Sequence, residues 1–164
     1  TTISNKNLGN RFIHGFSIDG FSKIMSNLKL DYALTYTRGD NNDTYGPLPS
    51  ISPLFGSIAL SYSKRGLNLR AVYKFSEAKN PSEYSFGGED GLDETPFIVN
   101  SEGLLTYLGT PKWSDLSIYG SKNISSNVTL RIGLTNVFDS HYRTFASGIS
   151  APGRSFQVGL NLKL

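Results

Sequence analysis

The sequence predicts an all-β chain, an antiparallel transmembrane β-barrel segment, and three observations carry that expectation. Seven segments alternate apolar and polar residues with a period of two, which sends the apolar side chains of each strand to one face. The links between segments alternate strictly between short and long. No segment has a helical period of comparable strength, and none approaches the roughly twenty apolar residues of a membrane helix. An apolar outer face, a polar inner face, short turns at one end and long loops at the other make up the pattern of an outer-membrane barrel. Such strands give a much weaker hydropathy signal than helices, so the absence of a long apolar run does not count against them.

The first strand, about 11–24, is the least regular: Phe12, His14, Phe16 and Ile18 share a face against Ile13, Gly15, Ser17 and Asp19. In the second, about 28–38, Leu28, Leu30, Tyr32, Leu34 and Tyr36 oppose Lys29, Asp31, Ala33, Thr35 and Thr37. The third (about 54–63) and fourth (about 67–76) carry Ile58, Leu60, Tyr62 and then Leu67, Leu69, Tyr73, Phe75 on the apolar side. The fifth, about 115–124, sets Leu116 and Ile118 against Ser117 and Tyr119, and the sixth, about 128–137, sets Val128, Leu130, Ile132 and Leu134 against Thr129, Arg131, Gly133 and Thr135. The last, about 155–164, is the cleanest, with Phe156, Val158, Leu160, Leu162 and Leu164 alternating with Gln157, Gly159, Asn161 and Lys163. Most of these reach the nine to eleven residues that a tilted strand needs to cross a bilayer.

Short links follow the first, third and fifth strands (Met25-Ser26-Asn27, Lys64-Arg65-Gly66, Ser125-Ser126-Asn127), and long ones, 38–53, 77–114 and 137–154, follow the second, fourth and sixth. The short links are therefore expected on the periplasmic side and the long ones outside. In that orientation residues 1–10 fall in an extracellular loop, so the chain is expected to begin within one. The outermost strands, 11–23 and 155–164, are expected to pair with polypeptide beyond this sequence, because open sheet edges do not occur in hydrocarbon.

Composition narrows the function. In 164 residues, 38% hydrophobic, 18% charged and 12% aromatic with 17 Gly, the profile suits β-structure rich in Tyr and Phe. The chain has no cysteine, hence no disulfide or thiolate metal site. The net charge of +3 is spread singly, with Lys64-Arg65 the one adjacent basic pair, which argues against a nucleic-acid partner. The only histidines, His14 and His141, lie in neither a nucleophile elbow nor a metal-binding pair, so no catalytic constellation and no enzyme are expected. His14 reads as an interface-level ring. The stretch 86–94, with Glu89, Asp90, Asp93 and Glu94, offers oxygen donors but not the twelve-residue calcium-loop spacing; it reads first as a flexible acidic loop, then as vestibule, then as a cation site. Pro47, Pro49 and Pro53 stiffen the descent into the third strand. The row Lys29, Asp31, Arg70, Lys74, Arg131 and Lys163 belongs against a wet lumen or a polar plug.

The run Leu134-Thr135-Asn136-Val137-Phe138-Asp139, then Tyr142-Arg143, then 147–154 ending in Ala151-Pro152-Gly153-Arg154, and the closing strand together resemble the C-terminal end of TonB-dependent outer-membrane receptors. With Arg143-Thr144-Phe145-Ala146-Ser147 ahead of the Ala-Pro-Gly-Arg, the wording is most similar to receptors from Bacteroidota. The chain departs from the family pattern in ending on Leu164, where such chains usually end on an aromatic residue. The resemblance implies seven strands of a 22-stranded barrel whose N-terminal plug domain lies outside this chain. It implies an outer-membrane transporter of a Gram-negative bacterium, importing a scarce nutrient such as a ferric siderophore or haem, with no cofactor of its own. The implied partners are the plug and remaining barrel strands, the TonB-ExbB-ExbD energy-coupling complex, outer-membrane lipid and an extracellular ligand. Tyr45, Tyr84, Phe86, Tyr107, His141 and Tyr142 in the long loops are the expected ligand contacts, being the aromatic and polar groups concave sites use. Two other classes stay open: a non-transport outer-membrane barrel (an adhesin or structural protein) and a soluble ligand-binding β-sandwich.

Overall fold

The computed structural model describes residues 11–40 and 46–163. Seven strands form one antiparallel sheet in sequence order: β1 (Phe12–Met25), β2 (Leu28–Asp40), β3 (Phe55–Lys64), β4 (Leu67–Ser76), β7 (Trp113–Asn123), β8 (Val128–Thr135) and β9 (Ser155–Leu162). The long link between β4 and β7 holds a feature that alternation did not announce, a short hairpin of β5 (Phe97–Val99) and β6 (Leu105–Tyr107). Three-residue strands are too short to display a period of two. Two single 3₁₀ turns, Pro81–Glu83 and Leu92–Glu94, complete the elements of that link.

Strand bounds differ from the sequence expectation mainly at the long-loop end. β2 continues to Asp40, β7 starts at Trp113 rather than near 115, and β8 stops at Thr135, where Asn136 turns to φ 47°. β1 has an irregularity between Lys23 and Met25 that shifts its register, matching the uneven alternation of its sequence.

The register decides which residues share a face. Leu30, Leu60, Ala71, Ile118, Leu134 and Phe156 stand side by side across six strands, so the apolar sets of separate strands join into one surface. That surface is open: Ile58, Leu60, Leu69, Ile118, Ile132, Val158 and Leu160 are all exposed. Buried large side chains are almost absent among the described residues, and Tyr84 is the one buried large hydrophobic. A sheet without a core, displaying a continuous apolar face, is stable only where something apolar covers that face, and lipid hydrocarbon does so in a membrane barrel. The opposite face carries Lys29, Ser61, Arg70, Tyr119 and Gln157 in a parallel row, so Arg70 and Arg131 both lie on the polar side.

The strands turn tightly at one end. Arg65 and Gly66, at φ 49° and 73°, make the two-residue link between β3 and β4, the left-handed pair that suits the twist of a hairpin. All three long links leave from the other end.

This two-faced arrangement predicts a sharp asymmetry at neighbouring positions. In the complete protein, Val158→Arg should lower barrel stability by about 2–4 kcal/mol, the cost of a guanidinium near the bilayer midplane. Gln157→Arg, one residue away on the polar face, should change it by about 0.5 kcal/mol or less. Equilibrium unfolding from lipid vesicles reads both, and equal costs would mean that the faces are not distinguished.

Candidate functional site

The long links fold over the loop end of the sheet and are fastened to each other at a buried charge pair. Lys79 and Asp90 have side chains only 3% and 2% exposed, with Nζ 3.4 Å from Oδ2. Lys79 also donates to the Ile51 carbonyl, and Asp90 Oδ1 accepts from the Ser50 backbone N–H at 2.7 Å. The ammonium lies 4.0 Å from the centroid of Phe145 and 5.2 Å from that of Tyr84. Residues 46–54, 77–112 and 136–154 therefore meet at one cation. A buried charge is tolerable only when paired and hydrogen-bonded, as this one is.

Around it the packing is close. Tyr84 Oη shares a 2.6 Å hydrogen bond with Thr110 Oγ1, and its ring meets Phe145 edge-on at 6.0 Å. The backbones of Lys79 and Thr110 exchange two hydrogen bonds. Gly109 makes this crossing possible, since at φ 77° an added Cβ would lie 2.1 Å from the Lys79 carbonyl oxygen. Burial pulls the Lys79 ammonium below its ordinary value of 10.5, with the attraction of Asp90 and Glu83 opposing. Burial likewise pushes the Tyr84 hydroxyl above 10.0, against its hydrogen bond to Thr110.

The linkage has a definite sign. Between the lowered Lys79 value and 10.5 the opened loops hold more protons than the closed ones, so closure strengthens as pH rises through that window. Tyr84 is neutral in both states below 10.0 and weakens closure only above it. Proteolytic nicking of residues 77–112 should thus decline as pH rises from the lowered Lys79 value toward 10.0, and an increase would contradict the dominance of burial at Lys79.

The last link is organised by Asn136, 3% exposed. Its Nδ2 donates to the carbonyls of Ser140 (2.9 Å) and Pro152 (3.0 Å), and its Oδ1 accepts from the Ser140 N–H (2.9 Å). Asp139, at φ 54°, accepts from the Arg154 N–H at 2.8 Å. The two ends of the link are thereby tied together above β8 and β9. Farther along, Tyr142 stacks on Trp113 with centroids 4.3 Å apart and planes 14° apart. Burial, followed by the charge of Asp115, raises the Tyr142 hydroxyl above 10.0.

The residues expected to meet a ligand are distributed unevenly over this scaffold. His141 and Tyr142 line a hollow of about 730 Å³ together with Arg143, Lys112, Asp93 and Glu94. Tyr84 is 2% exposed, and its surroundings give it a place in the packing beneath the loops. Phe86 is 78% exposed, its ring resting over Gly46, and Tyr107 meets Phe97 edge-on in the β5–β6 hairpin. Tyr45 lies outside the described residues. The acidic stretch 86–94 is not the loose loop its composition suggests, because Asp90 is the carboxylate that Lys79 buries. Among the described residues no group of three or more His, Cys, Asp or Glu side chains is placed to hold a metal ion. Sequence reading missed Lys79, Thr110 and Trp113, and it saw Asp90 only as an oxygen donor in an acidic stretch and Phe145 only within a local run, because these side chains come from distant positions and form no local pattern together.

No protein-family model matches the sequence, and no curated protein matches it. Solved structures do. The chain superposes on the copper transporter OprC with a TM-score of 0.68 at 19% identity, over 93% of this chain and 23% of that one. It superposes on the ferric-catecholate import receptor Fiu of E. coli K12 with a TM-score of 0.63, in an open form at 11% identity and a closed form at 13%. Both Fiu matches cover 93% of this chain and 21% of that protein, so the chain spans less than a quarter of the length of the structures it resembles. At such identities the likeness is one of fold, and the chain has the fold of an antiparallel transmembrane β-barrel segment of seven strands.

Proposed function

We propose that this chain is wall and extracellular loop of a TonB-dependent outer-membrane transporter that imports a scarce metal-bearing nutrient, a ferric siderophore or haem. One observation carries the reading: a sheet with a single apolar face gathers all its long loops at one end and matches, over nearly its whole length, the walls of a copper transporter and a ferric-catecholate receptor. In this reading the remaining strands close the barrel and a plug fills it. The plug side engages the TonB-ExbB-ExbD complex, and the chain itself performs no catalysis. The loops contribute the hollow at His141, Tyr142 and Arg143, a polar concavity with one stacked aromatic pair, which suits recognition of a planar or multiply hydroxylated ligand.

The geometry also shows where the ligand-binding role can be tested without collapsing the loops. Residues 97–107 form a hairpin closed by the hydrogen bond from Leu108 N–H to the Pro96 carbonyl, outside the Lys79, Asp90 and Tyr84 cluster. Replacing 97–107 by a short Gly-Ser link in the complete protein, together with His141→Ala and Tyr142→Ala, should preserve membrane insertion. Uptake of one source among ferric siderophores, haem and copper is expected to fall at least tenfold. Wild-type uptake of every source by a correctly inserted variant would remove these loops from ligand capture.

A further inference from the structure

Lys64-Arg65, the one adjacent basic pair in the sequence, stands at the turn that joins β3 to β4, and nothing in the proposed import uses it. The register brings a third cation beside it. Lys64 pairs with Leu67 across the turn, and Leu67 pairs with Lys122 on β7, so the two lysines flank one leucine on the same face. That face is the apolar one: it continues from Lys64 through Tyr62, Leu60 and Ile58, and from Lys122 through Gly120 and Ile118. Two strand spacings set the lysines about 10 Å apart, a gap that two flexible four-carbon stems can close on one anion. Lys122 Nζ already turns toward the tip, donating to the Arg65 carbonyl at 3.2 Å. All three residues are exposed.

No carboxylate balances them. The sequence has no Asp or Glu between 43 and 77 or between 115 and 139, the stretches that hold β3, β4, most of β7 and β8. Among the described residues none of the three cations holds an ion pair, whereas Lys29, Arg70, Lys79 and Arg154 each do. Lysines at the rim of an apolar band can be explained one at a time, as stems lying on hydrocarbon with the ammonium in water. Arg65 resists that account. It sits at φ 49°, a left-handed turn position that glycine, asparagine or aspartate fills at least cost. A residue of another type at a strained and exposed tip points to a role for its side chain, since the backbone would be better served without it.

We propose that Lys64, Arg65 and Lys122 form a headgroup site for an anionic phospholipid of the periplasmic leaflet, with its phosphate held among the three cations and its acyl chains laid on the adjoining apolar face. The short-turn end lies on the periplasmic side of an outer-membrane barrel, so the cluster stands at headgroup level, where the apolar face begins. Leu67, Leu69, Tyr62 and Leu130 continue that face directly from the cations. A guanidinium meets two phosphate oxygens through parallel N–H donors, and each ammonium adds a point charge. Basic residues beside a bilayer add together in their attraction to anionic headgroups. A soluble phosphate ester would use the cations and leave the apolar ground beside them unused. The site rests on this sheet being a membrane wall and is independent of what the barrel transports.

The test uses the complete protein, purified in mild detergent and exchanged into nanodiscs of phosphatidylethanolamine and phosphatidylglycerol in equal amounts. Native mass spectrometry after release from the disc should find phosphatidylglycerol retained over phosphatidylethanolamine by about tenfold or more. Lys64→Gln, Arg65→Gly and Lys122→Gln combined should bring that ratio below about twofold, while Lys64→Arg with Lys122→Arg should preserve it. Arg65→Gly alone separates binding from folding. Glycine relieves the left-handed turn, so the barrel should resist unfolding at least as well as the wild type while the retention ratio falls by about threefold or more. That single variant also carries the test if the triple one fails to insert. A wild-type ratio near unity, or a ratio unmoved by the substitutions in an inserted barrel, overturns the site and leaves the transport reading untouched. Displacement of the retained lipid by soluble glycerol phosphate would also overturn it, since the cations would then hold a phosphate irrespective of the membrane.

Discussion

Lys79→Met in the complete protein is expected to loosen the three loops together, at a cost of about 3–5 kcal/mol in the free energy of their closure. The change leaves the Asp90 carboxylate buried with the Ser50 N–H as its remaining partner, and an uncompensated buried charge is the expensive outcome of breaking such a pair. Local opening should rise by on the order of 10²–10⁴-fold, read as hydrogen exchange or proteolytic nicking within residues 77–112. Asp90→Leu should cost less. Lys79 there keeps the Ile51 carbonyl and the faces of Phe145 and Tyr84, and burial already brings its neutral form within reach. The double variant Lys79→Met with Asp90→Leu should recover most of the loss, because an apolar pair of similar volume replaces a desolvated ionic one. Losses that simply add would show that the two side chains act independently and that the cluster does not fasten the loops.

Asn136→Ala should produce the second large effect, about 3–4 kcal/mol. It removes three side-chain hydrogen bonds, each worth about 1 kcal/mol, and forces an alanine into a left-handed conformation that costs about 1 kcal/mol more. Asn136→Gly separates these contributions, since glycine accepts φ 47° but replaces none of the bonds; it should retain about 1 kcal/mol relative to alanine. Unfolding of the complete protein in lipid, with protease access to residues 137–154, reads both variants. If Ala and Gly behaved alike, the backbone at this position would be under no constraint.

These two sites differ in how far they were legible. Asn136 belongs to a local run, Leu134 to Asp139, whose wording stands out in the sequence. Its side chain works within sixteen residues of itself, on Ser140 and Pro152. Lys79 gives no such sign. Its partners, Ile51, Asp90 and Phe145, come from three different links, and nothing in the spacing of 51, 79, 90 and 145 reports that they converge. Tyr84 shows the same limit from the other direction. An aromatic residue in a long polar link reads as a ligand contact, yet here the link folds back and buries it against Thr110 and Phe145.

By itself the sequence determined the sheet. A period of two sets the face of every side chain along a strand, and the three short links leave the strands they join no choice but to pair antiparallel. That local geometry is why seven strands in sequence order, one apolar face, and the location of Arg70 and Arg131 away from it were all readable in advance. What only the tertiary structure decided lies above and within the sheet. Register between strands brought Gly159 opposite Arg131 and joined the apolar sets of separate strands into one surface. Long links, free of any periodic constraint, found their arrangement by burying one lysine against one aspartate and two rings. Those contacts depend on residues far apart in the chain meeting in space, where the favourable energy belongs to the assembled cluster and to no single segment of sequence.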